Sequence, residues 1–260
     1  MKTKILIVLT VIFALSSILT AGNSKNRGRR TRSKSEGRFS IAFAAGAGVP
    51  ALNFAKTDSL GTDSTRYSGY AKTGFHFNAS VGYRFSEYIG ALVQLGGNTN
   101  SFNADGFKSA NFSKEDVTVS GTSLSTRSYL AGPFFIFPLG DRIKIEARLL
   151  AGLLTTKFSE VTVIRTSQFF SATENYKLKP AAPAFAYNAG ASVKFKVTRI
   201  IGITLGVDYL GGTPVFTEYT QTVALKSILG NESSTKISGG HNYNMPLGII
   251  NASAGATLNF

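Results

Sequence analysis

Charged residues occupy every second position in one otherwise apolar segment, at Lys144, Glu146 and Arg148. Alternate residues of a β-strand point to the same side, so these three side chains would share one face. In other segments, the residues expected on the same, inward-facing side of their strands are Arg84, Lys194, Lys196 and Asp208, with His76, Asn78 and Gln94. An unpaired charge in an enclosed interior costs several kcal/mol, so charges that share such an interior must pair.

The two acidic members of this set, Glu146 and Asp208, are expected to bridge to Arg84, Arg148 and Lys194. We expect these charged residues to form one ion-pair network in the enclosed interior, which is the lumen of the barrel predicted below. Its members are Arg84, Lys144, Glu146, Arg148, Lys194 and Asp208. Such a network has two interpretations. It fills the interior as a structural plug, or it is a narrow gate whose ion pairs open, with the surplus of basic residues favouring anions.

Patterns that would indicate catalysis or metal binding are missing from the sequence. There is no Cys, which excludes thiol nucleophiles and thiolate metal sites. His76 falls on the inward parity, while His241 lies in a long loop near Ser238 without an acid at convincing spacing for a Ser–His–acid set. GxSxG, paired catalytic carboxylates and a phosphate-binding Gly loop are also missing. We therefore predict no catalytic residue, no metal and no cofactor.

The elements that must position the inward residues are strands of alternating polarity. The clearest is Phe75–Phe85, where Phe75, Phe77 and Val81 alternate with polar or small residues. Similar segments begin near residues 39, 89, 127, 143, 185, 201 and 247. Strands of about 9–11 residues suit a tilted crossing of the hydrocarbon layer. Their outward faces carry Phe, Ile, Leu and Val, which argues against a soluble ligand-binding barrel.

The connections between these segments alternate in length, which is typical of an up-and-down barrel in an outer membrane. We predict an all-β fold, an eight-stranded antiparallel up-and-down transmembrane β-barrel over residues 38–260. Pro133 interrupts the fourth strand and predicts a bulge there. The short turns lie near residues 86–88, 138–141 and 198–200, and the long segments near 50–73, 98–126, 156–183 and 211–246.

The chain before Arg38 differs from the rest. Residues 1–21 have a basic start, an apolar run and small residues near Ala21, which predicts a cleaved secretory signal peptide. The alternative is an N-terminal membrane anchor, for which the run is short. Residues 22–37 carry six basic residues, one acidic residue and no apolar side chain, which predicts a disordered periplasmic tail. The remaining excess of the +14 net charge is spread thinly, so we expect no nucleic-acid partner.

Aromatic residues and a faint repeat support the barrel. Gly82–Phe85 before one short turn parallels Lys194–Val197 before another. Two outward girdles are expected. One would contain Phe39, Tyr83, Phe85, Tyr88, Phe137, Phe195 and Phe260, and the other Tyr129, Tyr187, Tyr209 and Phe75.

The last segment, Leu247–Phe260, is apolar on one parity and ends on an aromatic residue. In a closed barrel it would pair with the first strand and leave no edge. With the signal peptide, the alternating strands, the GYRF hairpin at Gly82–Phe85 and the terminal Leu258–Phe260, the sequence resembles the small outer-membrane β-barrel family of OmpA-like and OmpX-like, porin-like barrels. The resemblance implies an integral outer-membrane protein of a Gram-negative-type bacterium with both termini periplasmic. It also implies that Phe260 is the signal read by the barrel-assembly machinery.

The functional prediction is non-enzymatic, a structural or surface-interaction role in adhesion or partner binding, with a side-chain-filled lumen. Expected partners are outer-membrane lipid and an extracellular or periplasmic protein bound through the loops or the basic tail. Val117–Leu124, Phe158–Ile164 and Phe216–Val223 alternate enough to extend the hairpins beyond the membrane, where strand edges can recruit partners. The alternatives are a narrow, weakly anion-favouring channel, a lipid-modifying enzyme and a secretion-apparatus accessory barrel.

Overall fold

The computed structural model describes residues 38–57, 68–112, 117–158, 160–167, 170–179, 182–216, 219–227, 232–239 and 243–260. The predicted signal peptide, the basic tail and His241 lie outside these ranges. Among the described residues, no helix is both long enough and apolar enough to cross a membrane.

The described elements are almost all strands. In chain order they are β1 (Phe39–Ala51), β2 (Ala71–Arg84), β3 (Ile89–Phe102), β4 (Val117–Gly121), β5 (Leu124–Pro138), β6 (Ile143–Lys157), β7 (Val161–Thr166), β8 (Phe170–Leu178), β9 (Ala184–Lys196), β10 (Ile201–Gly212), β11 (Val215–Phe216), β12 (Tyr219–Ser227), β13 (Glu232–Gly239), β14 (Tyr243–Asn244) and β15 (Leu247–Asn259). A 3₁₀ turn spans Leu52–Phe54, and one helix, α1, spans Ala104–Asn111.

Eight strands close into an antiparallel barrel in the order β1, β15, β10, β9, β6, β5, β3, β2, which confirms the predicted fold class. The seam pairs β1 with β15 in continuous register. At its end the Phe39 N–H donates to the Phe260 carbonyl at 3.2 Å, and the Phe260 N–H donates back at 2.8 Å. The barrel strands run from 12 residues in β10 to 15 in β5, longer than the expected 9–11. They therefore continue beyond the length that a hydrocarbon layer needs.

Short and long connections lie at opposite ends of the barrel, which we call the turn end and the loop end. Two of the short turns are built in the same way. Ser86 Oγ accepts the N–H groups of Tyr88 and Ile89, and Thr198 Oγ1 accepts those of Ile200 and Ile201. The faint repeat in the sequence thus corresponds to a repeated hydroxyl-stabilised turn.

Pro133 does not produce the predicted bulge, so that prediction is wrong. Pairing of β5 with β6 is interrupted after Ala131↔Ala151 and resumes at Phe134↔Arg148 in the same register. Proline lacks an N–H, so the ladder weakens locally without an extra residue being inserted. The irregular register is instead in β2, between Ala71 and Gly74.

Alternation along the strands separates two surfaces. In β10, Ile203, Leu205 and Val207 point outward and keep 49%, 49% and 55% of their surface exposed, whereas Asp208 points inward and is 1% exposed. Expected girdle residues at the turn end also point outward and are exposed: Phe39, Tyr83, Phe85, Tyr88, Phe195 and Phe260. At the loop end, Tyr187 and Tyr209 pack with ring centroids 6.1 Å apart. The barrel thus has an apolar belt between aromatic rims.

A second, five-stranded sheet forms from the long connections, in the order β13, β12, β8, β7, β4. We call it the loop sheet. Three of its strands, β4, β7 and β12, fall in the segments that were expected to extend the barrel hairpins. β4 pairs directly with β7, and β8, a strand that the alternation did not indicate, joins β7 to β12.

Candidate functional site

The centre of the barrel interior holds a bidentate ion pair. Arg148 Nε donates to Asp208 Oδ1 at 2.8 Å, and Nη2 donates to Oδ2 at 2.6 Å. Both side chains are buried. A fork-to-fork geometry of this kind is the strongest form of arginine–carboxylate contact. Gly190 provides the space, because a Cβ there would lie 1.8 Å from Asp208 Oδ1.

Glu146 extends this pair into a chain of charges. Its Oε2 accepts from Lys194 Nζ at 2.5 Å, and its Oε1 lies 3.7 Å from Arg148 Nη1. The order is therefore Lys194, Glu146, Arg148, Asp208, with two cations and two anions. Strands β6, β9 and β10 are neighbours in the barrel, so three adjacent strands present all four groups to one another.

The remaining members of the expected network lie closer to the turn end. Arg84 and Lys144 line a small cavity of about 30 Å³ together with Glu146, Lys194 and Phe134. Arg84 lies on β2, four strands away from β9 in the closed barrel, so Arg84 and Lys194 face this cavity from opposite walls. The structure places Arg148 and Lys194 in direct contact with the carboxylates and places Arg84 in the cavity beside Glu146.

His76 is held by amides on both ring nitrogens. Its Nδ1 lies 3.1 Å from Asn98 Oδ1, and its Nε2 lies 3.0 Å from Asn78 Nδ2. An amide oxygen accepts and an amide nitrogen donates, so the ring carries its proton on Nδ1. Both nitrogens are thereby engaged, and the ring is 2% exposed. His76 lies on the inward face, as expected, in a structural hydrogen-bonded position.

Buried apolar side chains fill the interior beside the charged residues and toward the loop end, and sequence reasoning missed them. On β5, Phe134 pairs with Arg148 and Ile136 with Glu146, and both are buried, as is Leu92. Gly90 accommodates the Phe134 ring, since a Cβ there would lie 2.4 Å from the ring. Toward the loop end the buried residues are Leu130, Leu150, Leu154, Leu210, Leu247 and Ile249. One sequence signal could have revealed the space for Phe134: inward glycines on β2 and β3, Gly82 and Gly90, which face its ring.

The loop sheet has one apolar face, which is packed at one end only. Val117, Val161 and Val163 are buried there, in the same apolar cluster as Phe112. The Arg165 guanidinium lies 4.9 Å above the ring of Phe112. The β4–β7 end of the sheet is therefore anchored by burial and by a cation–π contact.

At the other end of the loop sheet, the same face is open. Every residue of β13 is exposed, as are the side chains of Phe170, Leu225 and Ile237. Phe170 and Leu225 line an open pocket of about 440 Å³. In the described part of the chain, no strand pairs with the outer edge of β13.

One exposed ion pair joins the last two strands of this sheet. Lys226 Nζ lies 2.7 Å from Glu232 Oε1. The hydrogen bond from Lys226 lowers the pKa of the Glu232 carboxyl, and Glu232 raises the pKa of the Lys226 ammonium. Both groups are fully exposed, so solvent screens most of this interaction.

Comparisons with known proteins give matches in structure only. No family model matches the sequence, and no curated protein matches it. The fold is similar to Neisserial surface protein A at a TM-score of 0.44 and 14% identity, covering 85% of this chain and 97% of that one. It is similar to Ail, the attachment invasion locus protein of Yersinia pestis, at 0.42 and 14%, covering 87% and 100%. A major outer membrane protein from Thermus thermophilus gives 0.41 and 10%, covering 85% and 99%.

Proposed function

We propose that this protein is an integral outer-membrane β-barrel that presents the loop sheet at the cell surface as a non-enzymatic interaction surface. The contrast between a filled interior and an exposed strand edge carries the proposal. Side chains occupy the described interior of the barrel, while β13 has an outer edge that no other described strand pairs with and lies beside open apolar side chains. Exposed strand edges are a common mode of protein recognition, and loops on a rigid scaffold carry function more often than the scaffold does.

The outward belt supports the membrane placement. Phe43, Leu149 and Phe185 each expose more than half of their surface on the barrel wall, at 59%, 58% and 66%. Hydrocarbon, not water, is the solvent that such a surface suits. Because the short turns lie at one end and the long connections at the other, we infer that the loop sheet lies outside the cell and that both ends of the barrel chain lie in the periplasm.

Single-cysteine labelling tests this placement cleanly, because the natural chain has no Cys. A membrane-impermeant maleimide should label Ser238→Cys, an exposed position of β13, on intact Gram-negative cells that express the protein. The matched control, Glu87→Cys in an exposed short turn, should label only after the outer membrane is permeabilised. The reverse pattern would overturn the proposal, since it would place the loop sheet in the periplasm.

The interior supports a plug over a gate. Buried apolar side chains share the interior with the paired charges: Phe134 lies beside Arg148, and Leu150 and Leu210 lie toward the loop end. Breaking an ion pair leaves these side chains in place. Planar-bilayer recordings of the wild type and of Glu146→Ala should therefore both be silent. Stable conductance steps that grow in Glu146→Ala would instead support the weakly anion-favouring channel.

We also propose that Phe260 is the residue that the barrel-assembly machinery reads. Its ring is exposed on the outer wall, 6.5 Å from the ring of Phe39, while its backbone completes the seam. Phe260→Ala should lower the amount of folded barrel in the outer membrane and leave refolding of the purified chain in detergent nearly unchanged. Equal losses in both assays would make Phe260 a packing residue only.

A further inference from the structure

The outer edge of β13 lacks most of the devices that usually keep a sheet edge from pairing. Exposed edges in natural proteins are protected by proline, bulges, very short strands, a covering segment or charged side chains, above all lysine. β13 is eight residues long and contains no proline, and it pairs with β12 in unbroken register from Glu232 to Gly239. Its two charged residues, Glu232 and Lys236, have opposite signs.

The spacing of these two charges makes the strand complementary to itself. Glu232, Ser234 and Lys236 alternate and therefore share one face, opposite the apolar face of the sheet. When two copies of β13 pair antiparallel about a two-fold axis at Ser234, Glu232 of each copy stands opposite Lys236 of the other. Both cross-strand positions then hold opposite charges, which stabilises an antiparallel pair.

Neighbouring registers lose this match. With the axis at Thr235, Glu232 faces Ser238 and Lys236 faces Ser234. With the axis at Lys236, two lysines face one another, and like charges directly opposite destabilise the pair. The charge pattern of the strand therefore selects the axis at Ser234.

We propose that the outer edge of β13 binds the outer edge of β13 in a second copy of this chain, with Glu232 of each copy opposite Lys236 of the other. The two loop sheets then form one continuous sheet, and the contact is isologous, as in most homodimers. The two-fold axis keeps the apolar faces on the same side, so both pockets at Phe170 and Leu225 lie along one surface. This inference names the partner of the proposed interaction surface and rests on that proposal.

Disulfide trapping tests the register. Residues directly opposite in an antiparallel pair have Cα atoms about 4.5–5.5 Å apart, within the range of a disulfide. Mild oxidation of purified full-length Ser234→Cys in detergent should give a dimer that a reducing agent reverses. The matched control is Ser238→Cys, on the same strand and the same face, which should stay monomeric. Equal trapping of the two variants, or no trapping of Ser234→Cys, would overturn the proposal.

Charge exchange tests the partner positions. In the Ser234→Cys background, Glu232→Lys alone puts lysine opposite lysine, and Lys236→Glu alone puts glutamate opposite glutamate. Each variant by itself should trap about tenfold less dimer, because two attractive pairs become repulsive. A mixture of the two variants restores both opposite-charge pairs and should trap mixed dimer at the original level. Failure of the mixture to recover would overturn the register.

The two proposals fail in different ways. Trapping in detergent does not depend on which side of the membrane the loop sheet faces, whereas the labelling of intact cells does. Labelling of Ser238→Cys on intact cells, without trapping of Ser234→Cys in detergent, removes the self-pairing and leaves the surface role. Cross-linking of Ser234→Cys on cells to other proteins only, with a monomer in pure form, would replace the second copy with a foreign strand.

Discussion

The barrel interior and the outer edge of the loop sheet carry nearly the same sequence pattern with opposite outcomes. Lys144, Glu146 and Arg148 alternate on β6, and Glu232, Ser234 and Lys236 alternate on β13. On β6 the pattern is enclosed by seven other strands, so its carboxylate is 3% exposed and in contact with two cations. On β13 every side chain is exposed. Alternating charge therefore fixes which residues share a face, and the number of neighbouring strands decides whether that face is an interior or a surface.

The largest effect is expected from breaking the central ion pair. Asp208→Ala leaves the buried guanidinium of Arg148 without its bidentate partner, which should cost about 3–5 kcal/mol of unfolding free energy. Urea titration of the refolded barrel in detergent, followed by its heat-dependent gel mobility, measures the change. Replacing both residues with apolar ones, Arg148→Met with Asp208→Leu, should recover most of the loss. An unchanged midpoint in Asp208→Ala would mean that water reaches Arg148.

The same substitution, Gly→Ala, can be compared at one glycine in each of the two regions. Gly190→Ala puts a methyl group where the Asp208 carboxylate lies and should cost about 1–3 kcal/mol, as overpacking usually does. Gly239→Ala meets nothing within 4 Å and should stay within about 0.5 kcal/mol of the wild type. The same urea titration compares them. Similar costs at both sites would show that the loop sheet is as tightly enclosed as the interior.

The smallest effect belongs to the exposed pair on the loop sheet. The pKa of Glu232 is lowered, so the contribution of this carboxylate is present above its unfolded pKa and is lost as the pH falls through the folded value. The pKa of Lys226 is raised, so its contribution is complete below its unfolded pKa and is lost as the pH rises through the folded value. The pair therefore acts across the neutral range.

An NMR titration of the Glu232 carboxyl in micelles measures this effect. The midpoint should lie below the ordinary 4.5 in the wild type and move up toward it in Lys226→Met. Added salt should reduce the difference, because the pair is solvent-exposed. Overall stability near neutral pH should not change detectably in Lys226→Met. A midpoint that the substitution leaves in place would remove Lys226 as the cause.

Local periodicity predicted the barrel because each of its strands separates an apolar face from a polar or small one. It also placed Glu146 and Asp208 on the same side as Arg148 and Lys194, which the structure brings into contact. It failed in β5, where Phe134–Phe137 is apolar on both parities, so the strand itself does not show that Phe134 and Ile136 point inward. Only the inward Gly90 on the adjacent strand β3 reveals that space has been left for the Phe134 ring.

The loop sheet was beyond local periodicity for a different reason. β12 pairs with β8 although a barrel strand pair lies between them in the chain. Side-chain alternation states which residues share a face but not which distant segment supplies the next strand. Pro133 shows the opposite error, because here a strong local signal predicted a bulge that does not form. The neighbouring strands β3 and β6 keep the same register on both sides of the proline.

The seam between β1 and β15 determines which pair of barrel strands forms last during folding. β1 has β2 beside it early, but its other neighbour is the last barrel strand in the chain, from Ser40↔Asn259 to Ala51↔Gly248. All other adjacent barrel strands follow one another more closely, so the closing step has the largest sequence separation and is kinetically the slowest kind of contact to form. During folding, one edge of β1 must therefore stay unpaired until β15 is in place. Lengthening any loop should delay that step only slightly, since closure entropy grows with the logarithm of chain length.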